Sequence, residues 1–230
     1  AIGVIMGANI GTTITAQLVS INLTMLAPIA IAVGVGIKLF SKKNKTVILG
    51  EIILGFGILF LGMELMKEAL SPLKEYEGFK SMITSIGTGS FMSTLKGFLI
   101  GLGVTAIVQS SSATTGIMVA LASTGALPIE AAFPMLLGTN VGTCVTALLS
   151  SISANRTAKR AAVMHLMFNM IGTVIFILFL SSVTVRLVTA SSDDPARQLA
   201  NAHTLFNVVN TILLLPFASD RKSTRLNSSH

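Results

Sequence analysis

Gln109-Ser110-Ser111-Ser112-Ala113-Thr114-Thr115 is the stretch on which the fold turns. It sets five hydroxyls and one amide side by side at the centre of Gly97–Ile129, a run without Lys, Arg, Asp or Glu. An α-helix rises about 1.5 Å per residue and the hydrocarbon core of a bilayer is about 30 Å thick, so about 20 residues cross it. Gly97–Ile129 is long for one crossing and short for two with a turn between them. Two arms of about a dozen residues reach only the midplane, which is the length class of a re-entrant hairpin. Its polar tip cannot face lipid, so it must line a cavity or pack against protein.

The same arithmetic extends outward. Ala1–Ile37, Ala131–Asn155 and Ala161–Val185 are also uncharged. The 230-residue chain is 52% hydrophobic and 11% charged, with a mean hydropathy of +0.80. A typical soluble domain carries roughly 25% charged residues, so soluble and disordered classes are excluded. One cysteine, Cys144, excludes a disulfide scaffold. The reading is an all-α polytopic membrane protein. Ala1–Ile37 must turn near Ser20–Thr24, and further spans are expected over Leu23–Phe40, Thr46–Met66, Ala131–Asn155 and Ala158–Ser181 and from His203 onward. Glu51 and Glu64 lie near the ends of the third span and are expected at the interface. Residues 67–96 carry Lys67, Glu68, Lys74, Glu75, Glu77 and Lys80 and read as an extramembrane loop, with Ser71-Pro72 as a helix stop.

A repeat organises these spans. Gly7-Ala8-Asn9-Ile10-Gly11-Thr12-Thr13-Ile14-Thr15 recurs as Gly138-Thr139-Asn140-Val141-Gly142-Thr143-Cys144-Val145-Thr146. A shorter echo sets His165-Leu166-Met167-Phe168-Asn169 against His203-Thr204-Leu205-Phe206-Asn207. The net charge of +7 collects in short connections and reads as an orientation signal rather than a nucleic-acid footprint. Lys42, Lys43 and Lys45 place one loop in the cytoplasm, and Arg156, Lys159 and Arg160 place another there. With one hairpin between those loops, the two motif copies point in opposite directions. That is an inverted repeat, a signature of transporters. The chain then divides into residues 1–66 (the later part of a first repeat with following spans), the loop 67–96, a second repeat over 97–218, and a tail over 219–230. The tail is polar and aperiodic, resembles a translated adapter, and is left out of the fold.

Hydroxyls donate to anion oxygens and also present oxygen to hard cations. Free N–H groups at a broken helix add a positive dipole end. A run of Gln109, Ser110, Ser111 and Ser112 at a helix break therefore suits a small anion and its counter-ion. Single Ser or Thr residues more commonly bond back to their own helix. The glycines of the repeat fit close helix packing. Asn9, Asn140, Thr12 and Thr143 need partners at membrane depth, either a ligand or another helix. His165 and Asn169 share a helix face, and a buried, hydrogen-bonded histidine is expected rather than a metal ligand. No Gly-x-Ser-x-Gly occurs, and no enzymatic activity is expected.

Gln109-Ser110-Ser111-Ser112, followed by Gly138-Thr139-Asn140-Val141-Gly142-Thr143 and then His165-Leu166-Met167-Phe168-Asn169, resembles the type II sodium–phosphate cotransporter family. The resemblance covers most of Ala1–Phe217. It implies an inverted-repeat transporter with re-entrant hairpins and broken helices, in which two Gln-Ser-Ser-Ser hairpins meet around phosphate and sodium. It further implies that Gln109, Ser110, Ser111 and Ser112 hold substrate and sodium, with Thr114, Asn140, Thr143, Asn9 and Thr12 as weaker carry-overs. Sodium is the one metal expected, as a coupling ion, with no organic cofactor. The implied setting is the cytoplasmic membrane, with multiple passes. One Gln-Ser-Ser-Ser is present where the family has two, so its counterpart is expected upstream of Ala1, and this chain is not expected to transport by itself. A transporter of another small anion and a non-transporting membrane scaffold subunit are the alternatives.

Overall fold

The computed structural model describes residues 2–21 and 23–226. Every regular element among them is a helix, and six helices are long and apolar enough to cross a membrane. The fold is all-α and polytopic.

Helix α1 (Ile2–Val19) ends at the expected turn, and α2 (Ala27–Phe40) begins with Pro28 in its first turn, where a missing N–H costs nothing. α2 and α3 (Asn44–Leu70) form a hairpin. Glycines set its spacing: a Cβ on Gly34 would lie 2.6 Å from the Leu54 backbone nitrogen, and one on Gly57 would lie 2.8 Å from that of Ile31. Near the closed end, beside the 41–43 turn, Lys38 pairs with Glu51 at 3.1 Å.

α3 stops at Leu70, as Ser71-Pro72 predicts, and a 3₁₀ turn over Ser71–Lys74 follows. The expected loop is largely helical, because α4 (Glu77–Ile86) occupies its middle. Glu77 accepts from Lys80 at 2.8 Å and holds its ammonium above the ordinary lysine range. α5 (Phe91–Val108) and α6 (Ser111–Ser123) flank the predicted break. α7 is Ile129–Ser151. α8 (Arg156–Ile175) passes through a π-helical turn, Phe176–Leu180, into α9 (Ser181–Ser191). Phe176, in that turn, packs edge-on to Phe206 at 4.8 Å and tilted to Phe133 at 6.3 Å. α10 is Pro195–Leu226, so its helix runs into the tail that sequence set aside, and residues 227–230 lie outside the described residues.

Two span boundaries differ from expectation. α2 has 14 residues, about 21 Å at the helical rise, and falls short of a full crossing. α5 starts at Phe91 rather than Gly97, which gives it 18 residues. The hairpin arms are therefore unequal: α5 is long enough to cross, whereas α6 has 13 residues.

Contacts fix the helix directions. A Cβ on Gly97 would meet Pro134, one on Gly101 would meet Met135, and one on Gly142 would meet Leu102 and Thr105. Rising numbers match rising numbers, so α5 and α7 run parallel. α6 must therefore carry the chain back between them. Asn9 bonds to His165 and Asn169, while Ile5 lies in one cavity with Ala158 and Ala161, so α1 is parallel to α8. α8 returns antiparallel on α7, with Asn169 at Cys144 and Ala158 in the cavity with Ser151. Consequently α1 and α7, the two motif helices, run in opposite directions.

Candidate functional site

The break between α5 and α6 is one residue wide. Gln109 takes the left-handed conformation (φ 56°, ψ 26°), and its N–H closes α5 on the Thr105 carbonyl at 2.7 Å. A residue other than glycine occupies that region only at a cost of order 1 kcal/mol, and such residues cluster at functional sites. Ser110 is extended and caps α6, its hydroxyl accepting from the Ala113 N–H at 3.2 Å. A serine cap of this kind favours helix initiation by about 1 kcal/mol. Thr114 bonds back to the Ser110 carbonyl at 3.0 Å.

Three polar side chains at the break remain free. Gln109 is exposed, Ser111 and Ser112 are half-buried, and none of the three has a hydrogen-bond partner among the described residues. Two nearby hydroxyls are buried and also unpartnered: Thr105 Oγ1 on α5 and Thr115 Oγ1 on α6. Sequence reading left both out of the site, although Thr115 ends the quoted run. The break is not at the centre of α7. Thr105 lies against Gly142, so Gln109 falls beside the C-terminal half of α7.

The remaining candidates form a second cluster. Asn9 Nδ2 donates to Asn169 Oδ1 at 3.0 Å, and His165 Nε2 donates to Asn9 Oδ1 at 3.2 Å. An amide oxygen only accepts, so that ring nitrogen carries the proton. Asn169 Nδ2 donates in turn to the His165 carbonyl at 3.2 Å and to Cys144 Sγ at 3.3 Å. In the other copy, Asn140 Nδ2 donates to the Leu136 carbonyl at 2.9 Å, and Asn207 Nδ2 donates to Asn140 Oδ1 at 3.4 Å. Each repeat asparagine is thus tied to the asparagine of one His-x-x-x-Asn echo. Thr12 and Thr143 bond back to Ala8 and Thr139, the helix-internal role open to any threonine. Among the described residues no hydrogen bond joins this layer to Gln109–Ser112.

Two cavities lie at opposite ends of α1. One, of about 290 Å³, is lined by Ile5, Ala147, Ser150 and His165. The other, of about 230 Å³, is lined by Ser20, Lys67, Ser123, Thr124 and Asp194. Beside the second, Arg197 donates to Ser20 Oγ at 3.0 Å and to the Gln17 carbonyl at 3.2 Å.

This arrangement of broken helix and paired asparagines sits within a family pattern that matches residues 1–68 and 77–213, described as Na+/Pi-cotransporter. The chain belongs to the Na+/Pi-cotransporter family. Among curated relatives it is 30% identical over 179 residues to the Salmonella typhimurium "Putative inorganic phosphate export protein YjbB", covering 78% of this chain and 32% of that protein. It is 29% identical over 185 residues to "Uncharacterized protein YqeW" of Bacillus subtilis, covering 80% of this chain and 58% of the relative. A shorter segment, 82 residues, is 39% identical to rat "Sodium-dependent phosphate transport protein 2B", covering 34% of this chain and 12% of that protein. The chain thus spans between a third and three-fifths of the bacterial relatives. No solved structure matches it. Its six long apolar helices and its membership of this family make the chain a multi-pass membrane protein.

Proposed function

We propose that this chain carries an inorganic phosphate site with sodium as coupling ion, in a transporter of the cytoplasmic membrane that works by alternating access. The observation that carries this reading is the left-handed Gln109, which opens the N-terminus of α6 and leaves Ser111 and Ser112 with uncommitted hydroxyls. Free N–H groups and the dipole at that helix start attract an oxyanion, and hydroxyls donate to it without adding charge. The same oxygens suit sodium, which offsets anion charge where the dielectric is low. In this reading Gln109, Ser110, Ser111 and Ser112 touch the ligands. Asn9 and Asn140 instead tie helices together around them, and Thr114, Thr143 and Thr12 bond back within their own helices. The opposed directions of α1 and α7 support an inverted repeat, and the cavities at the two ends of α1 support access from both sides. The family relationship supports phosphate as cargo, and the name of one relative raises export as the direction.

The test is binding of radiolabelled phosphate to the purified chain in nanodiscs, with sodium or choline. Sodium-dependent binding that Ser111→Ala with Ser112→Ala reduces at least tenfold is the expected outcome. Binding equal in sodium and choline would remove the coupling. No phosphate binding by folded protein, with sulfate binding instead, would assign the break to another anion.

A further inference from the structure

Far from the helix break, the α2–α3 hairpin turns through Ser41, Lys42 and Lys43. Lys42, Lys43 and Lys45 are all exposed there, and none of them pairs with a carboxylate among the described residues. Glu51 is the single acid in residues 1–63, and it is already paired with Lys38. The outer connection differs, because its Lys80 is matched by Glu75 and Glu77. Beside the unmatched lysines the hairpin is apolar. Leu39 is 72% exposed and Phe40 87%, and Ile48 and Leu49 on α3 are also exposed. α2 packs chiefly on α3. The hairpin end therefore presents a basic rim above an apolar collar, with no part of the described chain laid over either.

Helix length sets the depth of this end. α3 carries Glu64, Lys67 and Glu68 near its far terminus. Counting back from Lys67 the about 20 residues that cross a hydrocarbon core reaches Val47. Lys42, Lys43 and Lys45 then stand at headgroup level, and Leu39, Phe40, Ile48 and Leu49 lie beside the first acyl carbons. Lysine stems run along apolar surface and hold their ammonium groups at the interface. Unpaired ammonium groups over an apolar collar match, in charge and in depth, a phosphodiester over its acyl chains. We propose that the tip of the α2–α3 hairpin binds anionic phospholipid of the cytoplasmic leaflet. The headgroup phosphate is held by Lys42, Lys43 and Lys45, and the acyl chains lie against Leu39 and Phe40. Loop charge as an orientation signal requires no selective lipid contact, so the proposal goes beyond it. It also stands apart from the phosphate reading of Gln109–Ser112. Its consequence is that the lipid secures a hairpin end that the other helices leave uncovered.

The experiment is native mass spectrometry of the purified full chain in detergent, given equimolar phosphatidylglycerol and phosphatidylcholine with the same acyl chains. Each lysine near an anionic surface contributes about a fivefold preference. The parent is therefore expected to retain phosphatidylglycerol over phosphatidylcholine by at least about tenfold. Lys42→Gln, Lys43→Gln and Lys45→Gln together should bring that ratio to within about twofold of unity. These side chains are exposed and packed against nothing, so the triple variant is expected to fold, and its unfolding midpoint checks this. Lys74→Gln, Lys80→Gln and Lys96→Gln together remove the same charge from the outer side and should leave the ratio unchanged. Equal retention of the two lipids by the parent overturns the proposal. An equal loss in the two triple variants overturns it too, because the preference would then follow net charge rather than this tip. Displacement of the lipid by excess inorganic phosphate at constant ionic strength would replace the lipid with a soluble anion and likewise overturn it. Ser111→Ala with Ser112→Ala should not alter the lipid ratio, so this proposal and the phosphate reading fail separately.

Discussion

α1 and α7 carry the same Gly-x-Asn-x-Gly-Thr motif in very different surroundings. In α7, 67% of the most apolar window is buried, against 17% in α1. A Cβ on Gly138 would collide with the Phe98 carbonyl and lie 2.7 Å from the Leu102 nitrogen, and one on Gly142 would lie 2.8 Å from the Leu102 carbonyl. A Cβ on Gly7 or Gly11 would meet nothing within 4 Å beyond the backbone of its own helix. The asparagines do not follow this divide, since Asn9 and Asn140 both bond to an asparagine on another helix. One motif therefore holds two separable functions. Its glycines permit a backbone contact where a helix lies against them, and its asparagine ties its helix to a neighbour. In lipid, helices gain no hydrophobic stabilisation from each other, so close approach and polar bonds carry association.

The largest expected effect falls on the glycines of α5 and α7. Gly138→Ala and Gly101→Ala each place a methyl against backbone rather than a flexible side chain. The helices must part, and overpacking of this kind costs about 3 kcal/mol or more. The expected result is a fall in the unfolding midpoint of roughly 10 °C, read by thermal unfolding in detergent. An unchanged midpoint would mean that α5 and α7 are not in backbone contact, which would remove the parallel α5–α7 course and the return of α6 with it.

Much of this was legible beforehand, and what was not has physical causes. The helix break was legible because Gln-Ser-Ser-Ser has no place in a lipid-facing helix. The start of α5 was misplaced because the uncharged run ends at Lys96. That lysine is exposed near the helix end, where its stem can snorkel. The signal that marks the true start is Ser90, whose hydroxyl caps the Ser93 N–H at 3.1 Å. Likewise Asp194-Pro195 marks the start of α10, with Asp194 Oδ1 accepting from the Ala196 N–H at 3.0 Å, eight residues before His203. The pairing of Asn9 with Asn169 left no local trace, since a bond across that sequence distance needs the tertiary fold. The echoed His-x-x-x-Asn was its one signal, and its spacing alone named no partner.

An intermediate effect is expected where the two copies agree. A double-mutant cycle on Asn9→Leu and Asn169→Leu should give a coupling of about 0.6–1.7 kcal/mol, the range of interhelical hydrogen bonds in membranes. The Asn140–Asn207 cycle should give less, because its bond is 3.4 Å rather than 3.0 Å. Zero coupling in both cycles would reduce the shared asparagine to a bystander and leave the glycines as the motif's only structural function.

The smallest effect is the sharpest discriminator. Gly7→Ala and Gly11→Ala meet open space inside a helix, so each should leave stability unchanged or raise it by no more than about 1 kcal/mol. The methyl adds no contact and removes none, and it restricts the unfolded chain slightly. The comparison is like for like, since each change is Gly→Ala at matching positions of one motif on two helices. If Gly7→Ala is nearly silent while Gly138→Ala is severe, glycine matters in this motif only where a helix backbone lies on it. If the two prove equally damaging in the membrane, the open face of α1 is covered there by a further helix, placed against Gly7 and Gly11 as α5 is placed against Gly138 and Gly142. Disulfide trapping from a cysteine at Gly7 would then report whether that helix belongs to a second copy of the chain.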